Sequence, residues 1–161
     1  MHSKIYQISL APIGKGDYAS PSDYYENSGD FADYIGDEVE DDEREYFLSA
    51  FANNVSGVFS ACGDGVFVYN GDDALRQFSQ KWVDRIKEMA NGLDPDNVLS
   101  NNRLYHLSKV TTRTHRDLYM RVHIMDWNGY AGPASDLFEW ARYNLKEGDK
   151  IYIGAIIDFH F

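Results

Sequence analysis

Asp23, Glu26, Asp30, Asp33, Asp37, Glu38, Glu40, Asp41, Asp42, Glu43 and Glu45 fall within one stretch, and the only cation among them is Arg44. They are eleven of the chain's 26 carboxylates. Outside the stretch the other 15 face 14 Lys and Arg, so the formal net charge of −11 is almost wholly local. Carboxylates at this density act through their field: they attract cationic partners, raise encounter rates and repel nucleic acid and anionic membranes. On a helix, Asp37, Asp41 and Glu45 would form one row and Glu38 and Asp42 a second, with neighbours roughly 6 Å apart along each row. Duplex DNA carries one charge per roughly 1.7 Å of axis. A carboxylate ridge of this kind, extended by Asp30 and Asp33, would imitate a phosphate backbone and occupy a basic groove built for one.

Other readings of the same residues stand beside this one. Acids at a helix N-terminus complement the macrodipole, and a charge run also serves as a solvated face. Against that, like charges at four-residue spacing repel by about 0.2–0.5 kcal/mol per pair, and a purely structural helix would intersperse lysines. Calcium requires converging oxygens from a defined loop. Asn27 to Gly36 offers oxygens but not the alternating acidic loop with a central glycine and terminal glutamate. Tyr24, Tyr25, Phe31 and Tyr34 are interleaved with the acids; such rings either pack the segment down or meet arginines of a basic partner.

Covalent or metal chemistry finds less support. Cys62 adjoins a turn with His106, His115, His123 and His160 elsewhere in the chain, but no spacing pairs the thiol with a base. His115 and His123 on one extended strand would lie about 27 Å apart, too far to share an ion with Asp117. Asp126, three residues beyond His123 in a strand, would point to the opposite face. Gly14-Lys15-Gly16 and Gly63-Asp64-Gly65 match neither a phosphate loop nor a dinucleotide fingerprint. Asp72, Asp73, Asp94 and Asp96 are placed as caps and turn formers.

The elements that must position these groups follow from periodicity. Lys4, Tyr6, Ile8 and Leu10 alternate in a first strand, and Lys15 to Ser28 reads as a loop. A helix is expected from Asp37 to Asn53 on the spacing of Val39, Phe47, Phe51 and Val55. Val55 to Tyr69 reads as a hairpin turning at Gly63-Asp64-Gly65. Leu75, Phe78, Trp82, Ile86 and Met89 mark a helix stopping at Asn91-Gly92. Leu104 to Thr112 and Asp117 to Asp126 read as strands joined by a turn at Arg113 to Arg116. Pro133 opens a helix carrying Ala134, Leu137, Phe138, Ala141 and Leu145, which ends at Gly148. In the last strand, Lys150 to Phe161, Ile151, Ile153, Ala155, Ile157, Phe159 and Phe161 share one side and Tyr152 and Ile156 the other, which predicts a central position.

The chain's 161 residues, 43% of them hydrophobic, are therefore expected to form a single α+β domain over 1–161. It would hold a mainly antiparallel sheet of about six strands, two or three helices, and an acidic loop-helix insert at about 17–54. The N-terminus lacks a signal-peptide pattern, no segment reaches a membrane span, and the single cysteine excludes an internal disulfide, so a cytoplasmic location is expected. The expected function is non-enzymatic binding of a basic protein surface, in its sharpest form nucleic-acid mimicry that inhibits a nucleic-acid-binding complex of the kind anti-restriction or anti-CRISPR proteins block. No direct nucleic-acid or membrane partner is expected. The contact residues would be Asp30, Asp33, Asp37, Glu38, Glu40, Asp41, Asp42, Glu43 and Glu45 with Tyr24, Tyr25 and Tyr34; no catalytic residue, metal or cofactor is assigned. A small enzyme with a pocket invisible in sequence, or a scaffold module with a solvated acidic arm, are the alternatives.

Overall fold

A computed structural model describes residues 2–30, 32–116 and 120–161, with side chains for all of these except 27, 28, 30, 101, 109, 110 and 112–116. The architecture is α+β, as the alternation of patterns implies. Among the described residues, seven strands form one sheet: β1 (His2–Ser9), β2 (Tyr34–Glu38), β3 (Phe59–Gly63), β4 (Val66–Tyr69), β5 (Met120–Ile124), β6 (Gly132–Pro133) and β7 (Lys150–His160). Their order is β3-β4-β7-β1-β5-β6, with β2 also on β7, and every pairing is antiparallel except β1 with β5. The α-helices are α1 (Asp41–Asn54), α2 (Asp72–Asn91), α3 (Asn101–Arg116) and α4 (Ser135–Asn144).

Each sheet face has its own core. On one face Tyr6, Ile8, Ile151, Ile153 and Ile156 pack under α1 and α4 against Leu48, Phe51, Leu137 and Trp140. On the other, Ile5, Ala155, Ile157 and Phe159 are covered by residues between β1 and β2, notably Ala19 and Tyr24. The stretch expected to be a loop insert lies over this face and buries Ala19 and Tyr24 on it; short 3₁₀ segments run at Lys15–Asp17 and Pro21–Asp30.

The two faces divide β7 in an unexpected way. Tyr6 stands opposite Ile156 but Ile8 stands opposite Ile153, so two residues of β1 span three of β7. A one-residue slip reverses the direction of every side chain beyond it. Ile151 and Ile153 therefore face the helices, whereas Ala155, Ile157 and Phe159 face the opposite core. The expectation that all of them share one side fails because strict alternation does not survive the slip. The central position of β7 does hold.

Gln7 fixes the slip. Its side chain is 2% exposed; its Oε1 accepts from the backbone N–H of Ala155 at 2.9 Å and of Ala19 at 3.0 Å, while its Nε2 donates to Asp17 O at 3.1 Å. A Cβ at Gly154 would lie 2.5 Å from that pinned Oε1 and 2.8 Å from Ile13 Cδ1, so a side chain has no room there. Arg44 holds the carbonyls: its Nη2 donates to Ile153 O and its Nη1 to Gly154 O, both at 2.8 Å.

Other elements depart from their sequence pattern. Leu104 to Thr112 lies within α3, not a strand, and α3 packs against α2. The Arg113 to Arg116 turn belongs to the same helix, and of the strand at Asp117 to Asp126 only β5 from Met120 lies among the described residues. Pro133 sits in β6, just before α4. The hairpin at Gly63-Asp64-Gly65 forms as expected, with Gly65 at φ +65°.

Gln7→Leu, which keeps the volume but strands two buried N–H donors, is expected to destabilise the fold by about 1–3 kcal/mol per donor. Gly154→Ala is expected to cost about 1–3 kcal/mol by overpacking. Urea titration followed by circular dichroism checks both.

Candidate functional site

The acidic stretch runs along two elements instead of one helix. Asp37 and Glu38 end β2, where Glu38 pairs with Ile157 and the N–H of Val39 donates to Ile156 O at 2.8 Å. Ile35 is buried and Val39 half-buried, and the open edge of β7 claims their backbone as a strand. The helix starts only at Asp41, with Glu40 as N-cap residue. Of the expected rows, Asp41 and Glu45 remain four residues apart on α1; Asp37 and Glu38 do not continue them.

Asp37, Glu38, Glu40, Asp42, Glu43 and Glu45 are exposed, and among the described residues no cationic side chain forms an ion pair with any of them. Asp41 differs, because Lys15 Nζ donates to both of its oxygens at 2.8 and 2.6 Å, and that hydrogen bond holds its carboxyl below the usual range. Asp33 is held low in the same way by the His160 ring 2.7 Å away. Arg44, the stretch's only arginine, leans over the Tyr18 ring and spends its guanidinium on the β7 carbonyls.

The tyrosines divide. Tyr25 and Tyr34 are more than half exposed, whereas Tyr24 is 2% exposed and is withdrawn from any contact surface. Its hydroxyl shares a 2.9 Å hydrogen bond with His123 Nδ1 and the two rings meet edge to face. Burial pushes the Tyr24 phenol up and holds the His123 imidazole below its ordinary range, with Asp23 opposing the second effect. The side chains of Asp30, Phe31, His115 and Asp117 lie outside the described residues.

The residues with chemical potential are otherwise employed structurally. Asp72 accepts the Tyr69 hydroxyl at 2.8 Å and does not cap α2, which begins after Gly71 at φ +92°. Asp94 does form a turn, accepting from the N–H groups of Asp96 and Asn97. Cys62 is exposed on β3. Among the described residues no three His, Cys, Asp or Glu side chains gather to hold a metal ion.

Among the indentations of the described surface are two troughs. One, of about 560 Å³, lies between α1 and the β3–β4 hairpin, walled by Asp41, Glu45 and Asp64 and floored by Leu48, Ala61 and Phe67. The other, about 360 Å³, lies between α2 and α4. Neither is lined by Cys62 or His123. The first was not legible in the sequence, since its walls come from segments some twenty residues apart with no shared motif.

No protein-family model, curated protein or solved structure matches this chain.

Because the folded His123 imidazole takes up its proton at lower pH than the unfolded one, ordinarily 6.5, the unfolded chain binds the extra proton first as pH falls. The resulting stability is fully present above that value and declines below it. Urea midpoints measured from about pH 7.5 to 5 are expected to fall more steeply for the wild type than for His123→Gln.

Proposed function

We propose that this protein acts by binding, presenting the carboxylates of Asp33 to Glu45 to a basic protein surface. In its sharpest form it imitates nucleic-acid charge and blocks the groove of a nucleic-acid-binding complex, as anti-restriction and anti-CRISPR inhibitors do. One observation carries the reading: six carboxylates stand exposed without an ion-pair partner among the described residues, while the arginine in their midst is turned into the sheet. A surface built only to be soluble would leave that guanidinium among the acids. Around those six, no cation among the described residues makes ion-pair contact where a cationic partner would meet them. Exposed Tyr25 and Tyr34 flank it with the side chains that interfaces favour.

A cytoplasmic setting belongs to the proposal. The lone thiol, Cys62, is exposed, which suits a reducing compartment. No helix among the described residues is long and apolar enough to cross a membrane.

The test is capture of partners from the producing cells by the wild type and by an Asp37→Lys, Glu38→Lys, Asp42→Lys triple variant. The wild type is expected to retain a nucleic-acid-binding complex at about 50 mM salt, lose at least about tenfold of it at 500 mM, and release it to competing duplex DNA. Capture that the triple variant reproduces in full would sink the proposal.

A further inference from the structure

The trough beside α1 is bounded by the free edge of the sheet. In the strand order, β3 is terminal, and among the described residues its outer side is met only at Phe59, by an isolated bridge to Ser56. Unpaired edges are ordinarily guarded by lysine, proline or an inward charge. Residues Ser60, Ala61, Cys62 and Gly63 include none of these and all four are exposed, so the one guard on this stretch is the bulge between Ala61 and Gly63. Ala61 pairs with Phe67 and so points to the same side of the sheet, yet Phe67 is 1% exposed whereas Ala61 is open. The edge strand therefore projects beyond the cover of α1, leaving a slot between helix and strand.

From this geometry we infer that the slot receives an extended, lysine- or arginine-bearing segment of a partner protein, which adds to the sheet as a strand along β3. Small β3 side chains let a second backbone come within ladder distance, about 4.8 Å. In strand addition, backbone hydrogen bonds supply affinity and alternate side chains fill pockets. Here the inward side chains would meet Leu48, Ala61 and Phe67. The charge of the occupant follows from Glu45 and Asp64, the two lining carboxylates with no ion pair among the described residues; Asp41 is held by Lys15, and Arg44 is fixed on Ile153 O and Gly154 O. The sign of that charge rests on the proposed acidic-surface function; the extended shape rests on the sheet edge alone.

The probe is an acetylated, amidated Val-Lys-Val-Lys-Val peptide, with Val-Glu-Val-Glu-Val as control and full-length protein throughout. The lysine peptide is expected to protect the outward-facing backbone N–H of Ala61 from hydrogen exchange and to slow alkylation of Cys62 at least about threefold, with the glutamate peptide inert. Ala61→Trp, which fills the slot on an exposed position, is expected to abolish both effects at unchanged melting temperature. Glu45→Gln with Asp64→Asn is expected to weaken binding about tenfold. The Asp37, Glu38, Asp42 triple variant, whose changes lie outside the slot, should bind the peptide as the wild type does at about 500 mM salt, where the long-range field is screened.

No protection at millimolar lysine peptide would overturn the inference. So would β3 amides already protected in a dimer seen by ultracentrifugation, since a second copy would then hold the edge. If the peptide fails while partner capture still depends on Asp37, Glu38 and Asp42, strand addition falls and the acidic-surface reading stands. If the peptide binds while capture ignores those acids, the acidic-surface reading falls instead.

Discussion

The one-residue slip in β7 at Gly154 is the constraint on which both cores depend. Upstream of it Ile151 and Ile153 reach the helices; downstream Ala155, Ile157 and Phe159 reach the segment that crosses the other face. Without the slip the downstream half would turn those three side chains toward the helices and away from Ala19 and Tyr24. An extra residue in one strand disrupts the ladder locally and leaves backbone groups to be satisfied. Gln7 takes the N–H of Ala155 and Arg44 takes the carbonyls of Ile153 and Gly154. The irregularity is thus held by two side chains from different parts of the chain.

That arrangement ties the acidic stretch to the sheet. β7 shares one edge between β4 at its start and β2 at its end, with Gly65 O accepting from the N–H of Ile153 and Arg44 bridging the gap between them. The helix that displays the acids is anchored by Arg44 at the point where the sheet is least regular. Its carboxylates are held on a β-strand and a packed helix, not on a free arm. A partner meeting them would need to order little of this surface, which removes one of the main costs of association.

The legible parts of the fold were those with a strong, uninterrupted period. The stripe from Leu75 to Met89 and the glycine-flanked hairpin formed where the sequence places them. α3 misled because Val110, Thr111 and Thr112 are β-branched and Leu104 begins an apparent alternation. Its helical signal, Leu104 with Leu107, matters only once α2 is present to pack against. The β7 slip was invisible for a different reason: it is a relation between strands, written in Gln7 and Gly154, neither of which breaks the local pattern. The same holds for Tyr24, a tyrosine among acids in sequence whose ring in space belongs to the core around His123.

The structure also shifts where the acidic charge carries weight. A continuous helix would have accumulated repulsion at every four-residue step, about 0.2–0.5 kcal/mol each. Only Asp41 and Glu45 keep that relation, and Lys15 relieves the first of them. Asp41, Asp42 and Glu43 occupy the first turn, where the macrodipole favours acids by about 0.3–1 kcal/mol apiece. Helix physics therefore accounts for those three without any partner. It does not account for Asp37 and Glu38, which end a strand, or for Glu45, which lies beyond the first turn and faces Asp64 across the slot. The residues that local stability leaves unexplained lie at the end of β2 and on the wall beside the open edge of β3. Of the six carboxylates unpaired among the described residues, Asp37, Glu38 and Glu45 carry the case for a cationic partner furthest.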